Sequence, residues 1–130
     1  MSYDLQIASD TAFRGFMARE PLARRMPRIP DLKPDGDGFV IDEPPDRRAE
    51  IYLEVLNEDG DNTEEPGGES AEINCITITI PYAYLNRNTF DRDYLPTLHA
   101  IAELTGWPLM DLQTDQVIPR VSRRPWWRVW

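Results

Sequence analysis

The chain has 130 residues, of which 41% are hydrophobic and 28% charged, and it carries a formal net charge of −9. That length suits one domain with a single core, the composition excludes a wholly disordered chain, and no run of about 18 apolar residues is present to cross a membrane. So large an acidic excess argues against DNA or RNA as a direct ligand, because phosphate backbones are held by clustered Lys and Arg.

Tyr3, Leu5 and Ile7 alternate with Asp4 and Gln6, which predicts a short half-buried strand. Ser9 or Asp10 stands where a cap belongs for a short helix, with Phe13, Phe16 and Met17 on one face at i, i+3, i+4 spacing. Pro21 begins a further turn through Leu22 and Met26. Residues 27–38, PRIPDLKPDGDG, read as a Pro-rich surface connection without regular structure. Phe39 to Ile41 is a brief strand, ended by Pro44 and Pro45. Ile51, Leu53 and Val55 alternate with Glu50, Tyr52 and Glu54 as a two-faced strand, and Ile73 to Ile80 is a β-branched run ended by Pro81. The two predict an antiparallel hairpin with a long acidic connection, residues 57–72.

Asp91 or Asp93 is placed to cap the best helix, about 93–105, in which Leu95, Leu98, Ala102 and Thr105 follow helical spacing. Pro96 falls in its first turn and Gly106 stands at the C-terminal cap. Leu109–Leu112 and Gln116–Ile118 read as extended segments around a turn at Thr114–Asp115. The order β-α-β-β-β-α-β predicts one α+β domain, with a mainly antiparallel sheet of four to five strands, one long helix and one short helix.

Charge is distributed unevenly. Residues 31–72 hold fifteen acids against three bases, whereas residues 120–130 hold four arginines and no acid. The stretch NEDGDNTEEPGGESAE, 57–72, has seven acids and no base. Asn57, Asp59 and Asp61 have the spacing that opens a calcium loop, but no glycine follows in time and Gly68 takes the place of the bidentate glutamate. A solvated hairpin loop and a docking surface for a basic partner both remain.

Cys75 is the only cysteine, so neither an internal disulfide nor a cysteine metal site is available, and it reads as a small buried hydrophobe. With no basic, apolar leader in MSYDLQIASD, the expected compartment is the cytoplasm. His99, the one histidine, lies at the edge of the helix stripe, either as a packing residue or as a lone general base. Gly67–Gly68 makes no phosphate loop, so no cofactor is expected. In RRPWWRVW, Trp126 and Trp130 share one face of an extended segment and Trp127 and Val129 the other, which suits core packing. Stacking on bases, a membrane interface and a partner anchor are the alternatives.

Residues 98–118, LHAIAELTGWPLMDLQTDQVI, resemble the end of small bacterial proteins that include polymorphic-toxin immunity proteins. The shared features are a helix ending in Thr105-Gly106 and a following strand with the turn Asp111-x-Gln113-Thr114; the opening MSYDL also recurs there. Asp115, where a glycine is common, and the Trp-rich tail depart from the pattern. The resemblance implies a small, non-catalytic, cytoplasmic protein that occludes a toxin's active site by surface complementarity. The expected partner is therefore a toxin or effector domain with a basic surface, with no nucleic acid, membrane or metal involved. The expected contacts are Asp59, Asp61, Glu64 and Glu65, with Tyr82 or Tyr84 as aromatic anchors. The alternatives are a small ligand-binding domain or enzyme that uses His99 and a neighbouring acid in a pocket over the sheet, and an adaptor or chaperone for a secreted effector.

Overall fold

The computed structural model describes residues 2–36, 38–43, 47–57, 59, 61, 71–86 and 88–118. In chain order the elements are β1 (Ser2–Ile7), β2 (Met17–Ala18), α1 (Arg19–Arg25), a 3-10 turn (Met26–Arg28), β3 (Lys33–Asp35), β4 (Gly38–Glu43) and β5 (Arg47–Glu54). There follow β6 (Glu72–Ile73), β7 (Cys75–Pro81), a second 3-10 turn (Tyr82–Tyr84), α2 (Phe90–Asp93), α3 (Leu95–Thr105), β8 (Leu109–Asp111) and β9 (Gln116–Val117). The fold is α+β, with a main sheet in the order β3-β4-β5-β7-β1-β8-β9 and a small one of β2 and β6. Every pairing is antiparallel.

The sheet is organised around the isoleucines of β7. Ile76, Ile78 and Ile80 are fully buried; Ile78 lies between Ile51 and Leu5, and Ile76 between Leu53 and Ile7. Side chains directly across a pair share a face, so this register gathers β-branched and Leu residues on one side. Leu22 and Met26 near α1, and Leu95, Leu98 and Ile101 of α3, complete the same cluster. Burying one such side chain contributes about 1.5–3 kcal/mol, so this face dominates stability. The predicted hairpin of the fifth strand with the isoleucine run is present, with Glu54 opposite Cys75 and Glu50 opposite Thr79.

Several expectations are corrected. Phe13, Phe16 and Met17 do not share a helix. Asp10 Oδ1 accepts the N–H groups of Ala12 (2.9 Å) and Arg14 (3.2 Å), and Ser9 Oγ accepts that of Gly15 (2.8 Å). These side-chain bonds outcompete a helix, Phe13 takes a positive φ of 57°, and helical structure begins only at Arg19. The Pro-rich connection also contains regular structure. Lys33–Asp35 forms β3, which turns at Gly36 (φ 57°) and pairs with β4. Pro34 is tolerated because β3 is an edge strand. With β8 and β9 added, the sheet exceeds four to five strands.

The helix expected at 93–105 is two pieces broken at Tyr94 (φ −123°), just ahead of Pro96, which has no N–H to donate. Neither Asp91 nor Asp93 caps it. Thr89 is the N-cap residue of α2, and its Oγ1 donates to Asp93 Oδ2 at 2.6 Å. Gly106 ends α3 in the left-handed region (φ 71°), donating its N–H to Ala102 O at 2.8 Å as the sequence predicts. Among the described residues no helix is long and apolar enough to cross a membrane.

Candidate functional site

The buried apolar residues of the helices all belong to the cluster on one sheet face. On the other face of the main sheet the register sets Glu50 beside Thr79 and Thr79 beside Asp4, with Tyr52 beside Thr77 and Thr77 beside Gln6. Tyr52 is 39% exposed and donates its hydroxyl to Glu50 Oε2 at 3.4 Å. Arg48 reaches Asp42 Oδ1 at 3.2 Å and Glu50 Oε1 at 3.5 Å. At the start of β5, and on the opposite face from Arg48, Arg47 pairs with Asp31 (3.1 Å) and with Glu43, and donates to the Asp93 carbonyl at 2.8 Å. Its hydrogen bond holds the Asp31 carboxyl below the usual carboxylate range. Among the described residues each of these two arginines thus serves two carboxylates, so their pairing leaves an acidic excess in this half of the sheet.

One end of the second face is covered by the loop after β1. Ala8, Phe13, Leu56 and Cys75 form a small apolar cluster there, held by Asn74. The buried Asn74 amide donates to Phe13 O (3.0 Å) and Leu56 O (2.7 Å) and accepts the Leu56 N–H (2.8 Å). Burial, then the nearby Glu54 carboxylate, pushes the Cys75 thiol up to about 12, so it is no nucleophile.

The predicted contact residues fall in separate places. Asp59 and Asp61 are exposed, and both of their backbone N–H groups bond to Asn57 Oδ1, at 2.9 and 3.0 Å. Asn57 therefore shapes a turn of its own, and among the described residues no three His, Cys, Asp or Glu side chains converge as for a metal. Glu64 and Glu65 lie outside the described residues, as does the tail with Trp126, Trp127 and Trp130. Tyr82 is 38% exposed and its hydroxyl accepts from Gln113 Nε2 at 3.0 Å. Tyr84 is half-buried, and its carbonyl accepts the hydroxyl of Tyr94 at 2.6 Å. Asp59 and Asp61 sit in the turn at Asn57, beside Leu56, which bonds to Asn74 just before β7, whereas the tyrosines follow Pro81 at its other end, so the length of β7 separates them, about 20 Å at ~3.3 Å per residue. Asp59 and Tyr82 do not form one patch.

Two concavities accompany these surfaces. The smaller, about 210 Å³, is lined by Tyr3, Leu85, Phe90, Asp111, Gln113 and Thr114. Asp111 accepts the Tyr3 hydroxyl at 2.6 Å on Oδ2 and the Gln113 N–H at 2.7 Å on Oδ1. Tyr3 and Phe90 meet edge to face, with centroids 5.5 Å apart. The sequence marked Asp111, Gln113 and Thr114 only as turn residues; their nearness to Tyr3 depends on β1 and β8 being neighbours. The larger groove, about 400 Å³, has His99, Glu103, Trp107, Leu109 and Ile118 in its walls. His99 is only 7% exposed. No Ser, Thr or Cys is among the described residues lining the groove, and Cys75 belongs to the other cluster.

No protein-family model, no curated protein and no solved structure matches the chain.

Proposed function

We propose that the protein is a non-enzymatic inhibitor that docks on a basic surface of a partner protein, as an immunity protein blocks the active site of a toxin, in the cytoplasm of the cell that makes it. The observation that carries this reading is the acidic half of the sheet, where Arg47 and Arg48 each already serve two carboxylates. The remaining negative potential is available to a partner. Such a field raises association rates by about 10–10³-fold and fades with salt. Exposed Tyr52, bonded to Glu50 in the middle of the acids, is the kind of aromatic that anchors an interface once desolvated.

The test is capture of partners from the native host at low and high salt, with wild type and a Glu50→Lys, Asp59→Lys, Asp61→Lys variant. The expected result is a basic partner whose association slows at least tenfold on charge reversal and at high salt. Capture of no basic protein, or capture indifferent to both changes, sinks the proposal. A partner that is harmless when expressed alone would favour an adaptor over an inhibitor.

The groove beside His99 supports a second reading, a ligand-binding domain, since its volume falls within the range of about 300–1,000 Å³ typical of small-molecule sites. A ligand screen read at the Trp107 indole N–H tests it; a signal that no compound moves ends it.

A further inference from the structure

The short helix α1 carries the opposite charge from the acidic half of the sheet. From Arg14 to Arg28 the chain holds five arginines and one glutamate. Leu22 and Met26 turn into the core cluster with the isoleucines of β7, so α1 lies on the sheet face away from Glu50 and Tyr52. Arg14 pairs with Asp10 and Arg24 with Glu20. Arg25 and Arg28 are exposed and, among the described residues, take part in no ion pair. Arg25 precedes the 3-10 turn that Arg28 closes, and residues three apart in such a turn share one side of it.

Beside them is an apolar pocket of about 210 Å³, lined by Met17, Ala18, Pro21, Leu22, Arg25 and Leu104. That volume falls short of the roughly 300–1,000 Å³ typical of small-molecule sites and suits one aliphatic side chain. The helix dipole favours Arg24 and Arg25 in the last turn of α1, yet a dipole role needs neither a pocket at Arg25 nor Arg28 beyond the helix. Ala71, near the end of the acidic segment, meets α1 at its other end. Its carbonyl accepts the Arg19 N–H at 2.9 Å, about 9 Å along the axis from Arg25 at ~1.5 Å per residue.

We infer that this end of α1 is a docking surface for an acidic segment of another protein, which sets one aliphatic side chain in the pocket and carboxylates on Arg25 and Arg28. A guanidinium takes a carboxylate through two parallel hydrogen bonds, and the pocket selects a segment with an apolar residue beside its acids. A nucleic acid offers phosphate but nothing for the pocket, and the net charge of −9 opposes a long polyanion more than a short acidic segment. The surface lies across the sheet from the one assigned to a basic partner, so neither contact excludes the other.

The test titrates the full chain, ¹⁵N-labelled, with acetyl-Glu-Glu-Leu-Glu-Glu-amide. The comparison probes are the same peptide with every Glu replaced by Gln, the same peptide with Leu replaced by Ser, and a short oligothymidylate. The expected result is a saturable shift of the Ala18, Leu22 and Leu104 amide signals, with binding at least tenfold weaker for the Gln and Ser peptides. Arg25→Gln combined with Arg28→Gln is expected to abolish the preference for the Glu peptide over the Gln peptide. Equal binding of the Glu and Gln peptides, equal binding of the Leu and Ser peptides, or shifts confined to other residues would each overturn the assignment. So would tighter binding of the oligothymidylate, or a preference that survives in the double variant. If that variant folds poorly, the four probes on the wild-type chain still decide. Because the probes need neither the basic partner nor the acidic face, this site and the proposed function fail separately.

Discussion

Asn74 interrupts the isoleucine run at the step where the chain leaves the small sheet with β2 and enters the main one. Its side chain makes three hydrogen bonds in a site that is 1% exposed, two of them to Leu56 and one to Phe13, so it fastens the loop after β1 to the hairpin. Asn74→Ala leaves a buried N–H and two buried carbonyls without a partner, each worth about 1–3 kcal/mol and not additive. The expected loss is about 3 kcal/mol, read as a shift in the urea midpoint; a loss below about 0.5 kcal/mol contradicts the role. A lone Asn among Ile and Cys was the available signal, but strand periodicity treats it as one more alternation. The neighbouring Cys75 makes a prediction about pH. Its thiol is pushed to about 12 in the fold from an ordinary 9.0, so the unfolded chain releases the proton first. The stability held by the protonated thiol is fully present below pH 9.0 and is lost as pH rises through the folded value. Burial raises the Tyr94 hydroxyl in the same direction. Cys75→Ala is therefore expected to flatten the alkaline fall in urea midpoint without abolishing it; an unchanged slope refutes the burial of the thiol.

At the scale of elements, the sequence is most legible where one face of a strand is buried. Alternation at Tyr3–Ile7 and Ile51–Val55 and the isoleucine run placed three central strands correctly, because period-two burial is a local property of the chain. Lys33–Asp35 was not legible. Its residues are exposed, and its strand character comes from hydrogen bonds to β4 across Gly36. The loop from Ser9 to Gly15 is misleading in sequence because Phe13 and Met17 have helical spacing while Asp10 and Ser9 compete for the backbone donors. Arg47 was equally invisible as an organising residue, since its partners Asp31, Glu43 and the Asp93 carbonyl come from three separate segments. Arg47→Lys cannot match that fork, and Arg47→Ala frees all three segments at once. Because the two carboxylates are nearly half exposed, the expected cost for Ala is about 1–2 kcal/mol rather than that of a fully buried pair. Hydrogen exchange should rise at the Asp31 turn and the end of α2 together; exchange confined to one of them refutes the three-way link. Gly38 stands in sequence at the end of the Pro-rich connection, yet a Cβ there would come within 2.3 Å of Ile51 O and 2.9 Å of the Tyr52 ring.

At the scale of the molecule, charge asymmetry was the most direct clue, since net charge needs no fold to be counted. Which acids share a face did need the fold: the register joins Asp42, Arg48 and Glu50 into one network and sends Asp59 and Tyr82 to opposite ends of β7. The apolar groove along α3 bears on the tail. Its wall includes Val117 and Ile118, the last residues described before the segment that carries Trp126, Trp127 and Trp130. Val117 is 54% exposed, a large apolar surface beside the point where the tail begins. We expect these tryptophans to contribute to the core of their own domain. Losing one large buried aromatic costs about 3–5 kcal/mol, comparable to the lower end of a small domain's total stability of about 5–15 kcal/mol. Each kcal/mol moves the melting temperature of a domain this size by about 3–5 °C. Deleting residues 125–130 should therefore lower it by roughly 10 °C or more, measured by calorimetry, and should raise the exchange of the Trp107 indole N–H. A truncated chain that melts within about two degrees of the full-length protein, and loses only its capture of the partner, would assign the tryptophans to the interface instead.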